Sequence, residues 1–321
     1  MKKTWSFFYL LALLLSTVVL LSLGCSKQGE ANSGTKNEIQ NQNESITEPS
    51  KKTETSESVQ KNVDSTAQQE IWKKRSEIIQ EAFQAIRETE NAQTALDSGN
   101  SKTALRALEL ATGKLELILA RDPKLALAPV DVSMTTHDVL LSLDAIKEIR
   151  KNAEKLLKDG EIQQVRNIIS NLGSEIVVSV TSIPLATYPA AIKAVTPLID
   201  KGKIAEAKIA LGNALRTLVI TDHIIPLPVV RAEEMLLKAE KIAEKPDRAT
   251  QGNDSLTMLL KNARYQLQMA EALGYGDKKD YTTFYAQLNE IEKKTENGKS
   301  GIGFFDSVKS SIGELKKKVF K

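Results

Sequence analysis

The hydrophobic pattern changes character along the chain, and each change marks a boundary. Trp5 to Leu23 is an apolar run interrupted only by Ser and Thr, close to the length that spans a bilayer. From residue 26 to 69 the pattern vanishes. Ser, Thr, Asn, Gln, Glu and Lys dominate, and Ile39, Ile46, Val59 and Val63 are the large apolar residues there. Such a stretch buries too little apolar surface to offset ordering entropy, so it reads as a disordered polar tether. From Ile71 a helical period sets in. Ile71, Arg75, Ile78, Ile79, Ala82, Phe83 and Ile86 recur at three and four, as one amphipathic helix would require. Further helices carry Leu105, Leu108, Leu115 and Ile118, then Val139 to Leu157, then Ile162 to Leu172.

Gly99, Gly160 and Gly202 punctuate this region alike, each with an acidic residue shortly before it. Positions five, nine and twelve beyond each glycine are Ala104, Leu108 and Ala111; Val165, Ile169 and Leu172; and Ala207, Leu211 and Ala214. Each set lies on one helical face. A glycine supplies the left-handed cap, and the small or branched face packs the second helix on the first. The turns predict helical hairpins. Their spacing is uneven, which favours a globular helical domain over a regular solenoid.

Two segments break the period. Ile176 to Ile183 and Leu218 to Ile225 are rich in β-branched residues, and each stops at a proline, Pro184 and Pro226. Both read as short buried strands, and Ala128 to Met134 is a third candidate. Helices resume beyond Pro228, around Leu256 to Leu273 and around Phe284 to Ile291. The fold class predicted is mainly α, helical hairpins or a bundle with a small β-sheet of two or three short strands. The domains predicted are 1–25, an export signal; 26–69, the tether; and 70–321, one helical domain.

The end of the first apolar run decides its meaning. Leu21-Ser22-Leu23-Gly24-Cys25 follows Lys2 and Lys3 at the start, the pattern of a bacterial lipoprotein signal. The alternatives are a plain signal peptide or an uncleaved membrane anchor. Cys25 is the single cysteine of the 321 residues and stands where lipidation needs it. Several acyl chains on one residue would give stable membrane attachment. Ser26, in place of the Asp that tends to retain lipoproteins at the inner membrane, leans towards the outer membrane, facing the periplasm.

Charge and composition then exclude classes. Lys and Arg number 44 against 41 Asp and Glu, a net charge of +3, too balanced for a nucleic-acid binder. One Cys and two His leave no set for a Cys/His metal site, and no cofactor is implied. No nucleophile elbow, P-loop or zincin motif occurs, so no catalytic residue is assigned. His137 and His223 each neighbour an Asp. Imidazole alone has an ordinary pKa between pH 5 and 8, so both are pH-sensing candidates against a purely structural reading. His223 is the stronger, flanked by Ile220, Ile224 and Ile225 on a strand expected to be buried. Gly301-Ile302-Gly303 reads as a flexible turn rather than a phosphate cradle. Glu233 and Glu234 read as solvated helix surface. Phe305, Val308, Ile312, Leu315 and Val319 form a stripe beside Lys309, Lys316, Lys317 and Lys318. That helix either docks on its own domain or on a second subunit, or binds membrane or a client, and docking is the expectation.

The chain resembles the YfdX family of bacterial proteins. The resemblance is carried by Ala104 to Leu115, Ala128 to Val132, Ser174 to Ser179, Ile183 to Pro189, Ile224 to Pro228, Ala263 to Leu267, Glu271 to Gly276 and Lys299 to Asp306. It extends over most of residues 71–310. The resemblance implies an exported, mostly helical, self-associating protein linked to stress and acid response, with chaperone-like behaviour. It transfers no catalytic residues. The function expected is a non-enzymatic periplasmic lipoprotein that binds proteins, as a homo-oligomer or with unfolded clients. The alternative is a small-molecule binder with a pocket between helices and sheet.

Overall fold

In the computed structural model, residues 54–320 are described. The export signal, Cys25 and the first part of the polar stretch lie outside them.

The glycine turns do form hairpins. α2 (Gln80–Asp97) turns at Gly99 into α3 (Ser101–Arg121). α4 (Leu143–Lys158) turns at Gly160 into α5 (Ile162–Ile169), and α6 (Tyr188–Asp200) turns at Gly202 into α7 (Ile204–Leu215). The three glycines have φ of 72°, 79° and 70°. Each turn closes the same way. The residue after the glycine donates its N–H five residues back, Asn100 to Ala95 O at 2.8 Å, Glu161 to Leu156 O at 2.9 Å and Lys203 to Leu198 O at 2.9 Å. The glycine N–H takes the carbonyl three back, which satisfies the carbonyls that a helix end leaves open. Ala104, Leu108, Ala111, Ala207, Leu211 and Ala214 are all buried. In the middle hairpin Val165 is buried but Ile169 is 56% exposed, because α5 lasts only eight residues and packs mainly on α4.

The strand expectations hold with one correction, the burial of β3. β1 (Leu127–His137), β2 (Glu175–Pro184) and β3 (Val219–Pro226) form one antiparallel sheet in the order β1-β2-β3. Val130 is a bulge between Pro129 and Asp131, which turns Ala128 and Val130 with Ile183 into the hairpin core. β3 is not the buried strand expected: Ile220 is 65% exposed and Thr221 and Asp222 are exposed. It is an edge strand, and one face of it meets solvent. The helix read through Ile71 to Ile86 is also broken. Ile79 donates its N–H to Pro129 O at 3.0 Å, a bond to the sheet that replaces the helical one.

The tether expectation fails over its last third. α1 (Glu54–Ser76) is helical, and Val59, Val63, Ala67 and Ile71 are buried. The boundary at 69/70 therefore falls inside a helix. Isolated by polar residues, this four-residue spacing looks like noise until the sheet supplies a partner. The stripe packs on Val132, Ile176, Val178, Val180 and Ile225, all on one face of the sheet.

Two helical cores flank these elements. α2, α3, α6 and α7 share the first, where the two complete hairpins pair with each other. α8 (Leu227–Ala243), α9 (Thr250–Leu273), α10 (Lys278–Thr295) and α11 (Asp306–Val319) form the second around Tyr281, Phe284, Leu288 and Phe305. The α4–α5 hairpin lies on α9 through Ile146, Ala272 and Met269.

Candidate functional site

The densest polar cluster lies where β1 ends and β2 begins. Asp138 follows the last residue of β1, and its side chain is 30% exposed. Arg231 of α8 grips it in a fork, Nη2 to Oδ2 at 2.7 Å and Nη1 to Oδ1 at 3.2 Å. Buried Ser174 donates its hydroxyl to Asp138 Oδ1 at 2.7 Å. The Ser174 N–H donates to Tyr275 Oη at 3.0 Å, and that hydroxyl donates to Glu175 Oε2 at 2.6 Å. The Ser174 carbonyl accepts the Leu227 N–H at 2.9 Å. Loop, strand, α8 and the end of α9 are thus joined through one serine. Burial works to raise Asp138, but the hydrogen bonds from Arg231 and Ser174 outweigh it and hold the carboxyl below its ordinary range. Burial and the Glu175 carboxylate push the Tyr275 hydroxyl far upward, so it stays a donor.

Beside this cluster a cavity of about 400 Å³ opens between α1, β1 and α8. Ala67, Ile176, Leu227 and Met134 give it apolar walls. Gln60, Asp64, Gln68, Thr136, Asp138 and Arg231 stand at its polar side. Apolar walls with a few polar groups describe a small-ligand pocket, and the volume lies within the usual range. Among the described residues no group of three His, Cys, Asp or Glu side chains is placed to hold a metal ion.

The structure separates the two histidines. His137 pairs with Glu175, while His223 pairs with Val178 on the adjoining register, so they project from opposite faces of the sheet. His137 is exposed and His223 partly buried, short of the burial expected for it. Asp222, the neighbour of His223, accepts the Ser179 hydroxyl at 2.6 Å on the face opposite His223. Of the tetrad Thr135 to Asp138 it is Asp138, not His137, that gathers partners. Its signal in the sequence was a lone acid at a strand end, and Arg231 lies 93 positions away.

Other candidates resolve plainly. The Gly301 N–H is taken by Ala243 O at 3.3 Å, so this turn does not offer its amide to a phosphate. α11 docks on its own domain: Phe305, Val308, Ile312 and Leu315 are buried. Lys309 pairs with Glu240 at 2.6 Å, Lys316 with Glu233 at 2.8 Å and Lys318 with Asp280 at 2.7 Å. Glu233 is therefore a clamp between helices, not solvated surface, and Glu234 accepts from Asn62 of α1 at 2.7 Å. Among the described residues no helix is long and apolar enough to cross a membrane. Large apolar side chains do stand exposed on the α4–α5 hairpin and its approach: Leu140, Leu141, Leu157, Ile162 and Ile169.

Residues 85–224 match the YfdX protein family. The YfdX match runs from within α2 to within β3, taking in the three hairpins and the sheet. It is narrower than the sequence resemblance, since α1 and α8 to α11 fall outside it. A solved structure of YfdX from Salmonella Typhi is 18% identical, covering 47% of this chain and 93% of that one, with a TM-score of 0.32. No curated protein matches the chain.

Proposed function

We propose that this is a non-enzymatic, stress-related protein of the periplasm, held by lipid on Cys25 to the outer membrane rather than the inner. Its work is to bind proteins, copies of itself or unfolding clients. One observation carries the protein-binding reading: the α4–α5 hairpin, which packs on α9 through Ile146, presents Leu157, Ile162 and Ile169, each more than half exposed. Leu157 lies one turn beyond buried Ala153 on α4 and is itself exposed. Large apolar side chains exposed together on one hairpin are the kind of surface partners use. The YfdX match of residues 85–224 includes this hairpin and supports the reading. The test is suppression of aggregation of a heat-denatured model client, with sedimentation to follow self-association. Leu157→Lys with Ile162→Lys and Ile169→Lys should abolish holding while the fold persists. Unchanged holding by the triple variant would remove the hairpin from the reading.

A second reading, a small-molecule binder, rests on the cavity between α1, β1 and α8. Its test is a thermal-shift screen of amphiphilic compounds, repeated on Met134→Trp, which fills the apolar side. Stabilisation lost in that variant would favour this reading. As for pH sensing, His223 remains the candidate before His137. Oligomer size between pH 7.5 and 5.5 should respond in the parent and not in His223→Gln if it is the trigger.

A further inference from the structure

A groove of about 580 Å³ lies between the first half of α9 and the end of α10. Asn253, Leu256, Thr257, Leu260 and Lys261 give it one wall, a spacing of three and four that keeps them on one helical face. Glu292, Thr295 and Glu296 give it the other, and the turn at Asn297 and Gly298 closes one end. Leu256 and Leu260 are buried and make its floor apolar. The YfdX match ends within β3, so the groove lies outside it.

Arg248 builds the closed end. Its Nη2 donates to Thr295 O at 2.9 Å and to Lys299 O at 2.7 Å, its Nη1 to Ala243 O at 3.3 Å, and its Nε to Asn253 Oδ1 at 2.6 Å. One guanidinium thus fixes the end of α8, the end of α10 and the start of α9. Between its two loop anchors Asn297 and Gly298 are held left-handed, with φ of 55° and 78°. A residue other than glycine stays there only when its surroundings fix it. Arg248 also decides which way the Asn253 amide points: with Oδ1 taken, Nδ2 is left to donate.

Most other polar groups around the groove are spent. Thr257 donates its hydroxyl to Asn253 O at 3.0 Å, Thr295 donates to Ile291 O at 2.9 Å, and Glu292 is held by Arg264 at 3.0 Å. Lys261 and Glu296 differ. Both are exposed, and among the described residues neither side chain has a hydrogen-bond or ion-pair partner. A cation and an anion therefore face one groove without meeting each other, beside a leucine floor and an amide donor. That set complements a molecule with a carboxylate, an ammonium, an amide carbonyl and apolar side chains. From Asn253 to Lys261 the groove follows α9 for about 12 Å. Two or three extended peptide residues span about 7–11 Å.

We propose that this groove binds short peptides with free ends and apolar side chains. Lys261 takes the carboxylate and Glu296 the ammonium. Asn253 Nδ2 donates to a peptide carbonyl, and the peptide side chains rest on Leu256 and Leu260. The apolar floor supplies the attraction, and the few polar groups set the orientation. Each end is recognised by one charge, so blocking an end removes one charge-assisted hydrogen bond.

The probe is leucyl-leucine, titrated calorimetrically against the full chain. N-acetyl-leucyl-leucine lacks the ammonium, and leucyl-leucine amide lacks the carboxylate. Each should bind the parent about tenfold or more weakly than the free dipeptide. Glycyl-glycine keeps both charged ends without the apolar side chains and should also bind about tenfold or more weakly. In Glu296→Gln the preference for a free amine should vanish while that for a free carboxylate remains. In Lys261→Met the reverse should hold. Thr257→Trp fills the groove from an exposed position and should abolish binding. Failure of the parent to bind leucyl-leucine overturns the proposal, as does equal binding of free and blocked peptides. End preferences that survive both substitutions, or binding unchanged in Thr257→Trp, place the peptide elsewhere and overturn it too. The α4–α5 hairpin and the cavity between α1, β1 and α8 take no part in these measurements, so each idea can fail alone.

Discussion

Single residues show how geometry decides the sign of an effect. Gly202 has a φ of 70°, and a Cβ there would meet no atom within 4 Å. The penalty of Gly202→Ala is then purely conformational, about 1–2 kcal/mol. Gly113 sits inside α3, also with open space around it. Gly113→Ala should stabilise by about 0.5–1 kcal/mol, since alanine loses less freedom on entering a helix. Urea denaturation of the pair should therefore move in opposite directions. Asp138 gives a pH prediction. Its carboxyl is held below the ordinary range, so its contribution is in place above the unfolded pKa of about 4 and is lost as pH falls through the lower folded value. Stability measured from pH 6 to pH 2 should fall less steeply in Asp138→Asn than in the parent. At pH 7 that variant should be less stable by about 1–2 kcal/mol, the partial exposure of the pair keeping the loss modest. An identical slope in both proteins would mean the fork to Arg231 does not persist in solution.

Elements separate residues that hold the fold from residues that face outward. On α5, Val165 is buried and Ile162 and Ile169 are exposed, within one eight-residue helix. Ile162→Lys or Ile169→Lys should change stability by no more than about 0.5 kcal/mol, while Val165→Lys should release the hairpin. Thermal unfolding with hydrogen exchange on α4 would tell them apart. α11 gives the opposite case. Leu315 is buried against the second core, and Leu315→Ala should cost about 2–5 kcal/mol. Membrane binding by α11 would require that this apolar row be free, and it is committed. α1 shows the limit of pattern reading. Its four-residue row was present in the sequence, yet polar neighbours on both sides gave it the composition of a tether. Only the exposed apolar face of the sheet makes such a sparse row worth ordering.

At the scale of the molecule, two helical cores meet a sheet that belongs mainly to neither. The polar latch of Asp138, Arg231, Ser174 and Tyr275 joins sheet and second core. Arg231→Met should loosen that junction before either core melts, visible as early exchange at the start of β2 and of α8. Attachment is tested on the whole protein. If Cys25 carries the lipid, Cys25→Ser should accumulate as uncleaved precursor or leave the lipid fraction in a detergent partition. A variant still cleaved and membrane-bound would sink the lipoprotein reading.

The sequence by itself determined the local structure. Gly99, Gly160 and Gly202 declared their hairpins because a left-handed cap is a property of one residue and its neighbours. Residues 176–183 declared a strand because a run of β-branched side chains that stops at Pro184 suits a pleated, buried surface better than a helix. The α11 stripe declared a helix for the same local reason. Tertiary structure alone decided what each element meets. Two hairpins found each other while the third was left with exposed isoleucines, and β3 became an edge. Asp138 rather than His137 acquired the cation, because Arg231 comes from a helix 93 positions away and nothing near either residue announces it. Burial and pairing depend on the surface that arrives from elsewhere in the chain, and periodicity carries no information about that surface.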